Sequence, residues 1–189
     1  MDDNQTLKVN LIAAVGNNLE LGLNGLLPWN LPNEYATFIK IAKGNPPAGR
    51  KNVIIFGRKT WLAYTARNPL AGKMIEIIIS RTLKKVPGGA HVFSSLDAAM
   101  AFLSQPEQRN RVHEVWITGG SMLYKTGLES EYFHRLYLTK VYGDFESDTW
   151  FPEVDLSSYH TVRDERLPVE VQEENGIKYQ FFVYEKQTA

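Results

Sequence analysis

Cysteine is missing from the 189 residues of this chain. Its absence excludes disulfides, cysteine nucleophiles, iron–sulfur clusters and zinc sites built on thiolates. An excess of charge is also missing, because 21 Lys and Arg residues balance 21 Asp and Glu residues. Nucleic-acid-binding proteins usually carry a basic excess, so we expect no stable nucleic-acid partner. The four histidines are scattered without metal-ligand spacing, and we expect no metal site.

Long hydrophobic runs are missing as well. The longest, such as 11–15 and 77–79, fall far short of the roughly 20 residues that cross a bilayer. The first ten residues, MDDNQTLKVN, lack the basic and apolar segments of a signal peptide. We therefore expect a cytoplasmic protein with no membrane partner. The P-loop, the G-x-S-x-G elbow and the G-x-G-x-x-G fingerprint are absent too, so the function must rest on other motifs.

The pattern of apolar residues predicts an α/β fold. A content of 43% hydrophobic and 22% charged residues is ordinary for a globular domain, and we expect one domain over 1–189 with frayed ends at 1–6 and 187–189. Near-continuous apolar runs are typical of parallel strands buried on both faces. They occur at 9–15, 52–56, 74–79 and 112–118, with helices predicted at 32–42, 95–103 and 121–128 and a short one opening at 60–63.

Two later runs predict strands without helices between them. They lie at 135–142 and 178–185, and the second follows the hairpin-type turn Glu174-Asn175-Gly176. Strand–helix alternation followed by strands alone indicates a mainly parallel central sheet with an antiparallel C-terminal strand.

Thr118-Gly119-Gly120-Ser121 separates an apolar strand from a helix. Glycines let a backbone approach a ligand closely, and a helix N-terminus offers free N–H groups, so this segment fits a pyrophosphate. A plain tight turn uses the same residues, and the spacing alone does not separate the two interpretations.

Basic residues follow two other predicted strands, in Gly57-Arg58-Lys59-Thr60 and Ser80-Arg81-Thr82. Ligands of open α/β sheets bind at the carboxyl ends of strands, where arginine can fork onto a phosphate. Neither segment carries the acidic residue that reads the 2′-hydroxyl of NAD, so a bound dinucleotide would be NADPH rather than NADH. Solvated basic residues at strand ends are the simpler alternative.

Glu34 shares a helical stripe with Phe38 and Ile41, just after Leu26-Leu27-Pro28-Trp29. A carboxylate that faces a core has a raised pKa and suits a cationic or amidine-like ligand edge. A glutamate in the first turn of a helix can instead face solvent, which is common.

Taken together, these segments resemble the eukaryotic, monofunctional type of dihydrofolate reductase from about Val9 to Lys186. The markers are 22–29, 33–34 with Phe38, 57–61, 80–81, 116–121, and 144–149 with 151–152. The resemblance implies an eight-stranded, mainly parallel sheet with four helices. It also implies that NADPH delivers a hydride to C6 of 7,8-dihydrofolate while N5 takes up a proton, giving tetrahydrofolate. Its implied partners are dihydrofolate, folate and antifolates such as methotrexate, and it implies a monomer.

The resemblance assigns roles to individual residues. Glu34 would hold the 2-amino group and N3 of the pterin, supported by Thr139 and a water near Trp29. In the geometry of the family, Glu34 lies too far along the pterin to protonate N5 directly. Its implied part is to orient the ring and raise the basicity of N5, with water as the proton carrier. Gly119 and Gly120 would be joined by a cis peptide bond.

Three sets of residues follow from the same resemblance. The catalytic set is Glu34, Trp29, Leu27, Tyr124 and Thr139. The substrate-binding set is Ile12, Glu34, Tyr35, Phe38, Asn68, Leu70, Lys73 and Thr139. The cofactor-binding set is Ala14, Leu21, Gly22, Leu23, Asn24, Gly25, Leu26, Gly57, Arg58, Lys59, Thr60, Ser80, Arg81, Thr82, Gly119, Gly120, Ser121, Met122, Leu123, Tyr124 and Thr126. Within it, 20–26 would be a mobile loop, Arg58 and 59–60 would meet the phosphates, and Arg81 with Arg58 would hold the 2′-phosphate.

One departure from the family concerns the folate glutamate. The family clamps its α-carboxylate with an arginine, where this chain has Lys73, so bidentate recognition is lost. Two alternatives stay open. A pyrimidinone reductase of riboflavin synthesis would share the fold and cofactor but would not explain Glu34 beside Leu-Pro-Trp. A non-catalytic NADPH- or folate-binding module, or one with an RNA-binding side role, would need the pocket without turnover.

Overall fold

Residues 6–65 and 69–187 are described by a computed structural model. The strands are β1 Val9–Val15, β2 Glu20–Gly22, β3 Lys51–Gly57, β4 Ile75–Ile79, β5 His91–Phe93, β6 Val112–Ile117, β7 Phe133–Tyr142, β8 Thr149–Trp150, β9 Tyr159–Val162, β10 Gln172–Glu174 and β11 Ile177–Lys186. The α-helices are α1 Pro32–Lys43, α2 Arg58–Thr65, α3 Leu96–Leu103, α4 Pro106–Arg109 and α5 Ser121–Glu129, and two 3₁₀ turns cover Pro87–Gly89 and Leu156–Ser158.

The central sheet has the order β10-β11-β7-β1-β6-β3-β4-β5, with β9 paired to β11. Neighbours from β7 to β5 run parallel, and β11 runs antiparallel to β7, β9 and β10. Strands β2 and β8 form a separate antiparallel pair. The predicted fold class is therefore confirmed.

The element counts differ slightly from the expectation. The described residues give nine strands in the main sheet instead of eight, and these include the short β9 and β10, which both pair with β11. They give five α-helices instead of four, because Pro106 starts the four-residue α4. Elements this short carry no clear hydrophobic period, so the sequence pattern does not reveal them.

Alternate residues of β3 fill the two faces of the sheet. Val53 and Ile55 pack into the cluster that holds the inner residues of α3 and α5, whereas Ile54 and Phe56 pack into the cluster beneath α1 and α2. All four side chains are fully buried, as a central parallel strand requires.

Local signals begin and end the elements. Ser95 caps α3, because its Oγ accepts a hydrogen bond from the Ala98 N–H at 3.1 Å. Pro32 opens α1, and Gly44 follows it with a φ of +55°. Asn175 and Gly176 both have positive φ, which suits the two-residue turn between β10 and β11.

The parallel order brings the ends of several strands to one edge of the sheet. β3 ends at Gly57, β4 at Ile79 and β6 at Ile117, and the glycine and basic segments of the sequence follow directly. In open α/β sheets, that edge is where ligands bind. Within the described ranges, no helix has the length and apolar character needed to cross a membrane.

Candidate active site

The carboxyl group of Glu34 is buried in the first turn of α1, and the residue is 4% exposed. Its Oε1 accepts a hydrogen bond of 2.7 Å from the Thr139 hydroxyl in β7. Burial raises the pKa of Glu34 to about 7; the hydrogen bond from Thr139 opposes this rise and the charge of Glu174 adds to it. The prediction of a core-facing carboxyl is confirmed, and the solvent-facing alternative is wrong.

Apolar side chains surround this carboxyl. Ile12 of β1 and Phe38 of α1 line a narrow cavity together with Glu34 and Thr139. The ring of Tyr35 lies at 5.6 Å from that of Phe38, and it reaches the surface. Apolar walls around a single carboxyl group are typical of ligand-binding pockets.

Trp29 is buried beside the pocket, and its ring meets that of Phe145 edge-on at 5.0 Å. Ala14, on β1, packs against the same cluster. In the described part of the chain, the indole N–H of Trp29 has no hydrogen-bond partner. A buried donor of this kind is normally satisfied by a water or a ligand. Leu26 and Leu27, which precede Trp29, are both exposed.

Tyr124, in α5, reaches β1 from the opposite side of the sheet. Its hydroxyl donates to the Ile12 carbonyl at 2.7 Å. Burial raises its pKa well above the ordinary range, and the nearby charge of Glu34 contributes in the same direction. The phenol therefore stays protonated and acts as a fixed donor that joins α5 to the wall of the pocket.

The segment 16–26 is fastened to 143–150 by one carboxylate from each side. Glu20 accepts from the backbone N–H of Asn18 at 2.7 Å and of Phe145 at 3.3 Å, and Asp148 accepts from the Asn24 N–H at 2.8 Å. Although burial raises the pKa of Glu20, its hydrogen bonds outweigh that effect and lower it. The Asn24 N–H likewise lowers the pKa of Asp148. Both carboxylates therefore stay ionised at neutral pH and hold the loop.

The tip of this loop is a two-residue turn. Leu23 and Leu26 exchange backbone hydrogen bonds of 2.9 and 3.0 Å, and the φ angles of Asn24 and Gly25 are both positive. Leu21 packs partly into the core, and Gly22 accepts from the backbone N–H of Asp148 at 2.9 Å. Sequence analysis missed both Glu20 and Asp148 as anchors, although a lone carboxylate in a stretch of Leu and Gly could have suggested Glu20.

Three glycines bring two strand ends into close contact. The Gly57 N–H donates to the Gly119 carbonyl at 2.6 Å, and Gly119 is joined to Gly120 by the cis peptide bond that the resemblance implies. A Cβ on Gly57 would lie 3.3 Å from the Gly120 nitrogen, and one on Gly120 would lie 3.3 Å from the Thr60 hydroxyl. The glycines therefore let the starts of α2 and α5 lie close together, and we call this junction the glycine cradle. Backbone N–H groups at helix starts attract anions.

Basic and hydroxyl side chains border this cradle. Arg58 and Lys59 are exposed at the start of α2, and Lys59 lies near enough to Asp148 to lower its pKa. Beyond β4, the Ser80 hydroxyl accepts from the backbone N–H of Leu83 at 3.0 Å, and the neighbouring Arg81 is exposed. Thr82 is exposed beside it. This edge of the sheet can therefore meet several phosphates at once.

Helix α5 places its predicted residues on different sides. The Ser121 hydroxyl donates to the Trp150 carbonyl at 2.6 Å, which joins the helix start to β8. Leu123 packs in the core, Met122 is 76% exposed on the outer surface, and the Thr126 hydroxyl donates to the Met122 carbonyl. The side chains of 122, 123 and 126 thus do not face one common surface.

The residues predicted for the tail of the substrate differ in exposure. Leu70 has no exposed surface and packs in the core with Phe56 and Trp61. Lys73 is exposed, and its Nζ donates to the Pro69 carbonyl at 3.0 Å. Asn68 lies outside the described residues. Over 6–65 and 69–187, no group of three or more His, Cys, Asp or Glu could hold a metal ion.

Comparison with known proteins gives a consistent result. The family model for dihydrofolate reductase matches residues 8–186. Over 181 residues the chain is 44% identical to the dihydrofolate reductase of Sus scrofa, covering 94% of this chain and 97% of that protein. Identity to the enzyme of Gallus gallus is 41% over 181 residues, covering 94% and 96% of the two chains.

A solved structure agrees with these relatives. The dihydrofolate reductase of Schistosoma mansoni superposes with a TM-score of 0.83 at 32% identity, covering 97% of this chain and all of that one. Sequence and structure point in the same direction, and the chain belongs to the dihydrofolate reductase family.

Proposed function

We propose that this chain reduces 7,8-dihydrofolate to 5,6,7,8-tetrahydrofolate with NADPH, and that Glu34 holds the pterin ring. Family membership makes it an oxidoreductase of folate metabolism. The observation that carries the assignment of the site is the buried carboxyl of Glu34 in an apolar pocket, with a pKa near 7. Such a group is poised to change its protonation near the working pH of an enzyme.

Glu34 orients the substrate. One carboxyl oxygen accepts from Thr139, and the group keeps acceptor capacity for further donors. The 2-amino group and N3–H of a pterin are adjacent donors, so they can meet a carboxylate in a bidentate manner. Ile12 and Phe38 exclude water around this contact. Fixing a flat ring in this way supplies the positioning on which hydride transfer depends.

Glu34 also acts on the protonation of N5 from a distance. A negative carboxylate at one edge of the pterin favours positive charge on the ring, which raises the basicity of N5. Water carries the proton, because the carboxyl is committed to the opposite edge of the ring. The buried Trp29 N–H, which has no partner in the described chain, supports a water between Trp29 and the carboxyl group.

The cofactor fits the glycine cradle and its basic border. NADPH supplies, when bound, the hydride that reduces C6. Gly57, Gly119 and Gly120 let the ends of β3 and β6 meet without side chains between them, which supports a close backbone approach to a pyrophosphate. The exposed Arg58 and Lys59, with the half-buried Thr60, would hold the phosphates. Ser80, Arg81 and Thr82 would hold the adenosine end, with Arg81 and Arg58 on the 2′-phosphate.

The anchored loop 20–26 would cover the reacting rings. Leu21 would lie beside the nicotinamide, with Ala14 and Tyr124 on the neighbouring strand and helix. The hydrogen bonds of Glu20 and Asp148 keep the loop against 143–150, which supports a covered site. We extend the proposal to a monomeric, cytoplasmic enzyme of one domain, on the strength of the resemblance.

The test follows the loss of reduced-nicotinamide absorbance when the purified chain is mixed with NADPH and dihydrofolate. A parallel run uses NADH. We expect fast oxidation of NADPH, slower oxidation of NADH, and inhibition by methotrexate. NADPH binding without oxidation would contradict the proposal and favour a binding module. Equal rates with the two cofactors would contradict the assignment of Arg58 and Arg81.

A further inference from the structure

The start of α1 has no acceptor of its own. Leu31 occupies the N-cap position, and it has no side-chain oxygen for the free N–H groups of the first turn. Glu174, at the end of β10, supplies one from a distance of 141 residues along the chain. The Asn33 N–H donates to its two carboxylate oxygens at 3.1 and 2.9 Å. The bonded N–H group belongs to the residue directly before Glu34.

The hairpin that carries Glu174 is fixed against the same region. Glu174 pairs with Ile177 across the β10–β11 turn, and the Asn175 side-chain amide donates to the Asn30 carbonyl at 2.9 Å. Tyr179 packs in a buried cluster with Trp29 and Leu31. The carboxylate of Glu174 is therefore held in place at the start of α1 instead of sampling solvent.

Polar groups face Glu34 from each element packed around it. From β7, the Thr139 hydroxyl donates to its carboxyl. From α5 and β11 come Tyr124 and Tyr179, whose phenols have pKa values raised by burial and, further, by the charge of Glu34. From β10 comes the charge of Glu174, which raises the pKa of Glu34 and also that of Tyr179. The charge of Glu174 thus acts on the Glu34 carboxyl at this helix start.

We propose that Glu174 is a positioning residue for the pterin site, which fixes the first turn of α1 and places a second negative charge beside Glu34. The inference rests on the proposed function in taking Glu34 as the pterin-binding carboxyl. The charge of Glu174 favours the protonated form of Glu34, so it adds to the rise in the pKa of Glu34 that burial causes. It therefore contributes to the pH range over which the site can bind and turn over its substrate.

The experiment compares Glu174→Gln with Glu173→Gln in the full chain without ligand. Glutamine keeps an oxygen for the Asn33 N–H but removes the charge. Glu173 is an exposed neighbour on the same strand, and alternation places its side chain on the other face. The readout is the carbon-13 titration of the Glu34 carboxyl, assigned by the loss of its signal in Glu34→Gln.

We expect the pKa of Glu34 to fall in Glu174→Gln by on the order of half a unit or more, and to stay unchanged in Glu173→Gln. The acid limb of the pH profile of kcat/KM should move in the same direction. If Glu174→Gln does not fold, Glu174→Asp draws the charge back by one methylene and should lower the pKa as well. A Glu34 pKa equal to that of the unaltered chain in a folded variant would overturn the proposal. This readout needs no turnover, so failure of the reaction itself would be seen separately in the unaltered chain.

Discussion

The two ends of the candidate site are built in opposite ways. At the pterin end, Glu34 and Thr139 are buried side chains on regular elements, joined by a short hydrogen bond. At the end that we assign to the phosphates, the phosphate end, Gly57 is half-buried, Gly119 is buried, and the side chain of Arg58 is exposed to solvent. In our proposal, one end recognises its ligand through a desolvated carboxyl group, and the other through backbone donors and long flexible cations.

This difference affects how far each end lowers the stability of the fold and how its ligand binding responds to pH and salt. A buried carboxyl group costs more free energy to ionise than one in water. The ionised form of Glu34 therefore lowers the stability of the folded chain, and the pKa of this group is raised. Exposed cations cost little, but salt screens them over about 10 Å at ordinary ionic strength. We therefore expect the pterin end to be sensitive to pH and the phosphate end to be sensitive to salt.

The largest effect is expected from Glu34→Gln. The amide has one acceptor oxygen and an NH₂ group that only donates, so it cannot accept from both N–H donors of the pterin edge as the carboxylate does. We expect kcat/KM for dihydrofolate to fall by about a hundredfold or more, with the affinity for NADPH retained. Steady-state kinetics and a separate NADPH titration check this. Turnover and pH profile equal to those of the unaltered chain would remove Glu34 from the mechanism.

The same variant should gain stability in a pH-dependent manner. The pKa of Glu34 is raised from 4.5 to about 7 by folding, so the folded state holds a proton that the unfolded state releases between these values. The stability of the unaltered chain therefore falls as pH rises through this window. Glu34→Gln avoids that loss and should be more stable by roughly 3 kcal/mol at pH 8, with little difference at pH 4.

Denaturant unfolding at the two pH values measures this gain, with Glu173→Gln as the control for an exposed carboxyl. A gain of the same size at both pH values would show that the amide acts through packing instead of ionisation. It would also mean that ionisation of Glu34 does not lower the stability of the folded chain, so the two ends of the site would not differ in this respect.

The next effect concerns the phosphate end. Arg81→Ala removes a charge that we assign to the 2′-phosphate, so we expect the Kd for NADPH to rise by about tenfold and that for NADH to stay unchanged. The difference should shrink as salt is added. Fluorescence titrations with both cofactors check this, and Lys85→Ala serves as an exposed control. Equal losses for NADPH and NADH would place Arg81 on a phosphate that both cofactors share.

The contrast between the two ends also explains what the sequence could reveal. Gly57 to Thr60 and Thr118 to Ser121 are local segments that follow apolar strands, so their place at the sheet edge follows from the parallel order. Glu34 stands out as a carboxylate in an apolar stripe. Its hydrogen bond to Thr139 crosses 105 residues, and only the resemblance suggested that pairing.

Contacts between distant loops leave no local signal. The bonds from Glu174 to Asn33 and from Glu20 to Phe145 cross 141 and 125 residues. Nothing in the pattern around either glutamate indicates its partner. The apolar neighbours of Glu20 could mark it as an anchor, whereas Glu174 looks like a surface carboxylate in sequence. The short strands β9 and β10 were missed for a related reason, since their pairing depends on β11 instead of their own periodicity.

The smallest effect is expected at Lys73, which belongs to neither end. It is exposed like the phosphate-end cations, but it is assigned to the glutamate tail of the substrate. Its ammonium now donates to the Pro69 carbonyl, and it would have to leave that contact to meet a carboxylate. Arginine would offer two parallel donors on a planar fork. We expect Lys73→Arg to raise the affinity for methotrexate, which carries the glutamate, by a few-fold, on the order of 1 kcal/mol.

A small diaminopyrimidine inhibitor without the glutamate separates this effect from a general change in the pocket. Its affinity should be the same for the unaltered chain and for Lys73→Arg, and Lys84→Arg should change neither inhibitor. Equal methotrexate affinities with Lys and Arg at position 73 would show that this side chain does not reach the glutamate. Recognition would then rest on the buried pterin end alone, and the exposed cations of this protein would serve the cofactor and not the substrate.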